Sequence, residues 1–567
     1  MAWISINVYL PPLRRLLMPA VFLLAFITFY RSSLRESASI PSFIFHQPPP
    51  PQEGIHIPIK DPKIHSSPST NASEGRLIPP STFFYEYDEA DESRANSTNA
   101  HPILDRYLEA FGKCEKEPNK YTNHIRLPYM IQNISQIPSG STVLEKRVFW
   151  NPTIIALPYW SANHYLVVSR IVTEGYHQEN VLCEANICYT GAGEVARKGE
   201  KLCAEDDILH VGAAGGMRCA TTPITLSVPP TPAANCTGSF LGYIDIPGFH
   251  DPRTFWSGKG EPLMMVNTQS RYACFGLWLL DLRTVYAPLH TFLISSPNIP
   301  SFDPLQSYST LTELTRNPPS TRSSIEKNWF LFFPPTGEAF IHYSIPDPRI
   351  LTSGRTFAKL LGSGLTTTNL TDPFENPCMV LPHTPDAAVL SSSPGRFDDG
   401  EWHQATPSLR LVLCERPCLP TAQNTVFISL VHRKHQNYLF LPLRYERYFY
   451  VWASTPPFRS IGISKFPILL ANETASGWSP EENWDDLASE DGSAEEKQKD
   501  NWAYFTYTVS IAWAWRGEDL GPGIEADGMG MGYLDDEVLL GVGIDDRGQG
   551  FARVRAAELV GCLMMCF

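Results

Sequence analysis

From about residue 145 onward the chain is a succession of short runs rich in β-branched and aromatic residues, parted by Pro, Gly and Asn, with almost no helical periodicity between them. Residues 165–172, 262–266, 329–333, 339–345, 409–413, 426–431, 448–453, 505–515 and 537–542 all suit strands. In the clearest case, Phe505, Tyr507, Val509, Ile511 and Trp513 alternate with Tyr504, Thr506, Thr508, Ser510 and Ala512, a period of two that predicts a sheet with two differently covered faces. Many short strands without helices between them restrict the fold to a barrel, a pair of sandwiches or a propeller. Segments start near 150, 250, 327, 403 and 500, and each interval has room for a four-stranded sheet with decorated loops. The expectation is an all-β, five-bladed β-propeller over residues 146–567, carrying a Cys-rich insertion near 180–240 and a disordered acidic loop at 479–500.

The N-terminal part has a different texture. Residues 16–30 form an apolar or weakly polar run behind Arg14 and Arg15, short for a membrane span but workable in a thin bilayer. Residues 1–30 are therefore expected to be a cytosolic tip and signal-anchor helix, the alternative being a cleaved signal peptide. Residues 31–145, rich in Pro, Ser and acids in their first two-thirds, suit a stem and lead-in. Asn71, Asn96, Asn133, Asn235, Asn369 and Asn472 each begin an Asn-x-Ser/Thr sequon, and the twelve cysteines are an even count. Together these predict a single-pass type II protein of the Golgi or another secretory-pathway membrane, with a lumenal body and disulfides within the Cys183 to Cys236 region. The net charge of −14 is concentrated in 481–500 and 86–92, so the body is near neutral and nucleic acid is not an expected partner.

The chemistry-bearing stretch is His250-Asp251-Pro252-Arg253, followed by Thr254-Phe255-Trp256, a turn at Gly258 to Gly260 and the apolar run 262–266. It puts one carboxylate and one guanidinium at a sheet end, where Asp251 can protonate or orient an oxygen and Arg253 can fork onto an anion. Pro252 is expected to hold Asp251 extended. The plainer alternative is an Asp-Pro turn whose Arg pairs locally. Trp402, Trp478, Trp484 and Trp502 suit either core packing or sugar stacking. Gly528, Gly530 and Gly532 precede a strand rather than a helix, which excludes a dinucleotide loop, and no Gly-x-Ser-x-Gly signature appears. Cys414 with Cys418 and Cys562 with Cys566 are loosely zinc-like but lack a matching second half, so no metal and no cofactor are expected.

Several motifs follow one another along the chain: Asn151-Pro152 ahead of a strand ending in Arg170, Phe249 to Arg253, Glu326-Lys327-Asn328-Trp329, Ala405-Thr406-Pro407 leading to His432, and Asp535 to Asp546. The series resembles the five-bladed β-propeller mannoside phosphorylases and related eukaryotic mannosyltransferases, and also a group of fungal membrane-anchored proteins. The resemblance covers residues 148 to 560. It implies a central funnel in which Asp251 serves as general acid, with Arg253, Lys327, His432, Asp546 and Arg170 binding substrate. Lys327 and Arg170 would meet a phosphate, and His432 and Asp546 sugar hydroxyls. Each also has an ordinary alternative: a strand-end Lys, a solvated basic turn at 432–435, a hairpin turn at 545–546. Because few basic residues match the phosphate site and a lumenal anchor is expected, the implied activity is mannosyl transfer from an anionic sugar donor to a glycan acceptor. A hydrolase or phosphorylase, and a non-catalytic glycan-binding propeller, are the alternatives.

Overall fold

The chain divides into two compact units, Met1–Arg76 and Leu77–Phe567. The computed structural model describes residues 125–136, 148–172, 177–191, 200–226, 231, 236, 248–294, 306–345, 355–372, 401–435, 444–473, 506–517, 529–544 and 548–566, all in the second unit. The expected anchor at 16–30, most of the stem, the acidic loop, Asp546 and the sequons at Asn71, Asn96 and Asn235 lie outside them. Among the described residues, no helix is long and apolar enough to cross a membrane.

What is described is all-β with a few short helices. His250–Trp256, Pro262–Gln269, Phe275–Asp281 and Thr312–Leu314 form an antiparallel meander, and Phe330–Phe332, Phe340–Ser344 and Thr356–Lys359 form a smaller one. Leu409–Val412, Thr425–His435, Arg444–Ala453 and Ser460–Ser464 make the centre of a larger sheet. A further sheet contains two antiparallel runs, Trp150–Ala156 with Tyr165–Val172 and Gln178–Tyr189, and Thr506–Trp513 with Glu537–Ile544 and Gly548–Arg555. The runs are joined edge to edge through Gln132–Ser135 and Gly216–Cys219. The expected turn after Trp256 is local chemistry: Gly260 takes φ +77°, and Ser257 Oγ accepts from the Lys259 and Glu261 amides while donating to the Glu261 carboxylate.

Apolar side chains join each run to the next. Ile155, Leu166 and Val168 pack on Trp256, Met264 and Trp278. Phe255, Leu263 and Leu279 meet Trp329, Leu331 and Ile341. Phe330, Phe332 and Phe357 meet Phe427, Tyr450 and Trp452, an aromatic layer of largely edge-on and tilted ring pairs. Leu411, Ile428 and Phe449 meet Ile511, Trp513 and Leu540, and Ile154, Val167 and Ile187 meet Leu539 and Phe551. The period-two strand at 506–513 is accordingly buried on both faces. Its polar side is spent on a neighbour: Ser510 Oγ contacts the Pro152 carbonyl and the Ile154 amide, each at 3.3 Å.

Within the expected Cys-rich insertion, Gln178–Tyr189 is a twelve-residue strand. Cys183 is joined to Cys219 and Cys188 to Cys203, while Cys236 is joined to Cys274. Cys414 and Cys418 form a disulfide with each other rather than half of a metal site.

Candidate active site

Three strands carry the site, and they run side by side in the same sense. Thr153 Oγ1 lies 2.8 Å from Thr254 Oγ1 and accepts from the Thr254 amide at 2.8 Å, and further along Trp256 Nε1 donates to the Ala156 carbonyl at 3.0 Å. Thr506–Trp513 lies against the first of them through Ser510. Side chains at the starts of the three strands converge.

The local backbone explains why. Asp251 has φ +46°, left-handed rather than extended. The rule that proline keeps its predecessor extended is overridden here because the pairing register slips. Arg253 pairs with Met265 but His250 pairs with Asn267, leaving an extra residue in the strand, and Pro252 has no N–H to leave unpaired there. Asn151 repeats the device: φ +47°, a proline after it, and a slip between the Trp150–Arg170 and Thr153–Val168 pairs. Asn328 is also left-handed, φ +61°, ahead of Phe330–Phe332. Such backbone strain is retained where the surroundings hold it, and it gathers at functional sites.

The side chains then meet. Asn151 Nδ2 donates to Asp251 Oδ1 at 3.1 Å, and Arg170 Nη1 pairs with the same oxygen at 2.8 Å. The Asp251 side chain is 33% exposed and that of Arg170 11%, so the carboxylate is partly accessible while its partner is largely covered. Burial pushes the Asp251 carboxyl up, but the charges of Arg170, Arg253 and His250 and the Asn151 hydrogen bond outweigh it and hold the carboxyl below its usual range.

Arg253 is buried, and its Nε and Nη1 donate to the carbonyls of Ala405, Asp251 and Pro252 at 2.8 to 3.1 Å. It clamps the bulge to the neighbouring sheet. Its guanidinium also lies 5.9 Å from the Tyr507 ring centre, and Tyr507 packs against His432 at 4.5 Å between centroids. His432 is fully buried. Its Nε2 accepts from the Thr508 amide at 3.3 Å, which places the proton on Nδ1, an atom without a hydrogen-bond partner among the described residues. Lys327 is exposed, and no described residue pairs with it; the adjacent Asn328 Nδ2 approaches His403 Nδ1 at 3.5 Å. Of the expected site residues, Asp251, Arg170 and Arg253 are thus directly joined, and His432 stands behind Tyr507. Asp546 lies outside the described residues. Asn151, Tyr507 and His403 were not among the expected residues; the shared x-Pro step of Asn151-Pro152 and Asp251-Pro252 is the signal that points to the first.

Gly543 makes room for Asn151: a Cβ at that position would overlap Asn151 Oδ1, whereas one at Gly362 would meet nothing within 4 Å. Gly543→Ala is expected to destabilise by about 1–3 kcal/mol, with Gly362→Ala within about 0.5 kcal/mol of the parent. Turning Asn151 away also removes a hydrogen bond from Asp251, so the Asp251 carboxyl rises in Gly543→Ala alone. Denaturant melts and carboxyl NMR titration check both statements.

Two buried imidazoles are also tuned. Burial lowers His432 well below its ordinary value, aided by Arg447, His403 and Arg253; burial and Arg355 do the same to His342, against a hydrogen bond to Gln404. Both are neutral in the fold, while the unfolded chain protonates its histidines near about pH 6.5. The unfolded state therefore binds more protons below that pH, and stability is lost as pH falls through it, by about 1.4 kcal/mol per pH unit for each histidine. Urea midpoints between about pH 7.5 and 5 are expected to show this slope, and His432→Asn to flatten it by about half.

No protein-family model and no curated protein matches the chain. Among solved structures it is similar to a β-1,2-mannobiose phosphorylase from Listeria innocua in complex with β-1,2-mannobiose, at 10% identity over 79% of this chain and 94% of that one, with a TM-score of 0.30. It is also similar to MPT-4, a mannose phosphorylase from Leishmania mexicana in complex with phosphate, at 9% identity over 82% of this chain and 96% of that one, TM-score 0.28. A GH62 hydrolase in complex with xylotriose aligns at 9% identity over 57% of this chain and 95% of that one, TM-score 0.20.

Proposed function

We propose that the chain is a glycoside-processing enzyme that breaks or exchanges a mannosidic bond, with Asp251 at the reacting centre of a five-bladed propeller. The observation that carries this reading is a partly exposed carboxylate held by Arg170 at 2.8 Å and Asn151 at 3.1 Å on a left-handed bulge. Mannosides are the substrates named by the motif resemblance of Asn151-Pro152, Asp251-Pro252-Arg253, Lys327 and His432.

In the free protein Asp251 is ionised, which suits a base or a hydroxyl-binding group but not an acid. An incoming phosphate or donor phosphate changes this. Forked onto Arg170, it withdraws the cation that holds Asp251 down and adds a negative charge beside it; both raise the carboxyl. Asp251 then takes a proton from solvent and gives it to the glycosidic oxygen as the bond from that oxygen to the anomeric carbon breaks and a phosphate oxygen forms its bond to the same carbon. Arg253 keeps the bulge in place throughout, and Tyr507 and His432 support it from behind. Lys327 and Asp546 are assigned as further substrate contacts. Transfer of mannose from an activated donor uses the same groups with the phosphate as leaving group.

The disulfides and sequons support a lumenal body reached through the secretory pathway, with residues 16–30 as the anchor. Incubating the purified body with mannobioses, with and without inorganic phosphate, and with nucleotide sugars plus mannosides, tests the reading. Phosphate-dependent sugar phosphate, phosphate-independent mannose, or an extended mannoside would each identify the reaction. No turnover in any arm would sink the proposal.

A further inference from the structure

Three sequon asparagines among the described residues differ in what their amide nitrogens do. Asn133 Nδ2 donates to the Val211 carbonyl at 3.1 Å. Asn472 uses both polar atoms on Ile131: Oδ1 accepts from its amide at 2.8 Å and Nδ2 donates to its carbonyl at 3.0 Å, tying residues 341 apart in the chain. At each of these positions the nitrogen that would carry a glycan holds the fold together.

Asn369 is different. Like the other two it is exposed, and it lies in the segment that follows the Thr356–Lys359 strand, but its Oδ1 bonds within its own sequon, accepting from the Thr371 amide at 3.1 Å and the Thr371 hydroxyl at 2.9 Å. The acceptor oxygen and the hydroxyl of the sequon are already joined within three residues, a contact the nascent chain can make before the fold exists. Nδ2 makes no hydrogen bond to the described residues, so a substituent there displaces no hydrogen bond of the described fold.

We infer that Asn369 is an N-glycosylated residue, and that Asn133 and Asn472 are structural asparagines that stay unmodified in the folded protein. This rests on the lumenal location proposed above. The sugar comes from a lipid-linked oligosaccharide diphosphate. The anomeric carbon forms its bond to Asn369 Nδ2 as its bond to the diphosphate oxygen breaks; the diphosphate leaves with the electron pair, and one Nδ2 proton passes to a base of the transferring enzyme.

The test is expression of the full chain in a eukaryotic secretory host, release of glycans with peptide N-glycosidase in ¹⁸O water, and peptide mapping. Asn369 is expected to become labelled Asp in most molecules, with Asn133 and Asn472 remaining Asn in most. Thr371→Ala, which keeps the asparagine but removes the hydroxyl, is expected to abolish labelling at 369 alone and to increase gel mobility by one step. Labelling at Asn71, Asn96 or Asn235 with none at Asn369 would overturn the inference while upholding the lumenal location. No labelling anywhere would overturn both, and labelling at Asn133 or Asn472 as complete as at Asn369 would overturn the selection between sites.

Discussion

Asp251→Asn is expected to lower turnover of an alkyl mannoside by about 10²- to 10⁴-fold, the range that a positioned proton donor supplies. The amide keeps the shape of the side chain and an oxygen for Arg170 and Asn151, so the loss reports chemistry more than geometry. Two further readouts separate an acid from a merely structural residue. A nitrophenyl mannoside, whose leaving group needs no proton, is expected to lose far less than the alkyl mannoside. The alkaline limb of the parent's pH profile, set by deprotonation of Asp251 in the complex, is expected to vanish in the variant. Arg170→Met should raise the KM for the anionic partner and leave neutral mannoside affinity nearly unchanged. An equal loss with both leaving groups would remove Asp251 from the acid role, and a loss under about threefold would remove it from the chemistry.

Much of the fold was legible because burial on sheets writes a short period into the chain. Residues 165–172 and 409–413 lie within a residue of the strands Tyr165–Val172 and Leu409–Val412. The signal failed where cysteines replaced ordinary core residues. Gln178–Tyr189 falls largely within the expected Cys-rich insertion, yet it is a strand of the sheet, and the disulfides of Cys183 and Cys188 tie it to its neighbours. The site was half legible. Asp251 and Arg253 stood out through one tripeptide, whereas the partnership of Asp251 with Asn151 and Arg170 is made across 100 and 81 residues by the packing of strands. The left-handed turn at Asp251 was hidden for a sharper reason. The local preference before proline is extended, and only a register slip against residues 265–267, a long-range property, reverses it.

The same dependence on distant pairing governs the largest expected stability effect. Arg447 and Glu473 form a two-pronged ion pair at 2.8 and 3.1 Å, with side chains 2% and 6% exposed. Both partners are further tied down: Glu473 accepts from the Leu470 amide and the Thr506 hydroxyl, and Arg447 donates to Thr508 Oγ1 and the Ile468 carbonyl, so four of its five N–H groups are used. Arg447→Met would leave a buried carboxylate without a cation, and a loss of about 3–5 kcal/mol is expected; Glu473→Gln should cost a similar amount by stranding the guanidinium. The paired replacement Arg447→Met with Glu473→Leu is expected to recover most of that loss, since two apolar side chains remove both charges together. Burial pushes Glu473 up, but Arg447 and the surrounding hydrogen bonds bring it below the usual carboxylate range. A depressed folded value contributes stability above the unfolded carboxylate pKa of about 4.3 and loses it as pH falls through the folded one. The double variant should therefore unfold with a shallower acid slope below about pH 4.3 than the parent, after the histidine contribution nearer neutrality is subtracted. Since Arg447 also lowers His432, removing it lets that imidazole protonate at higher pH in the fold, which narrows the pH window of the histidine contribution from below and shrinks that part of the slope at the same time. Urea melts from about pH 3 to 7.5 on the parent, the single and the paired variants resolve the two contributions, and single variants as stable as the parent would show that the pair is not held as described.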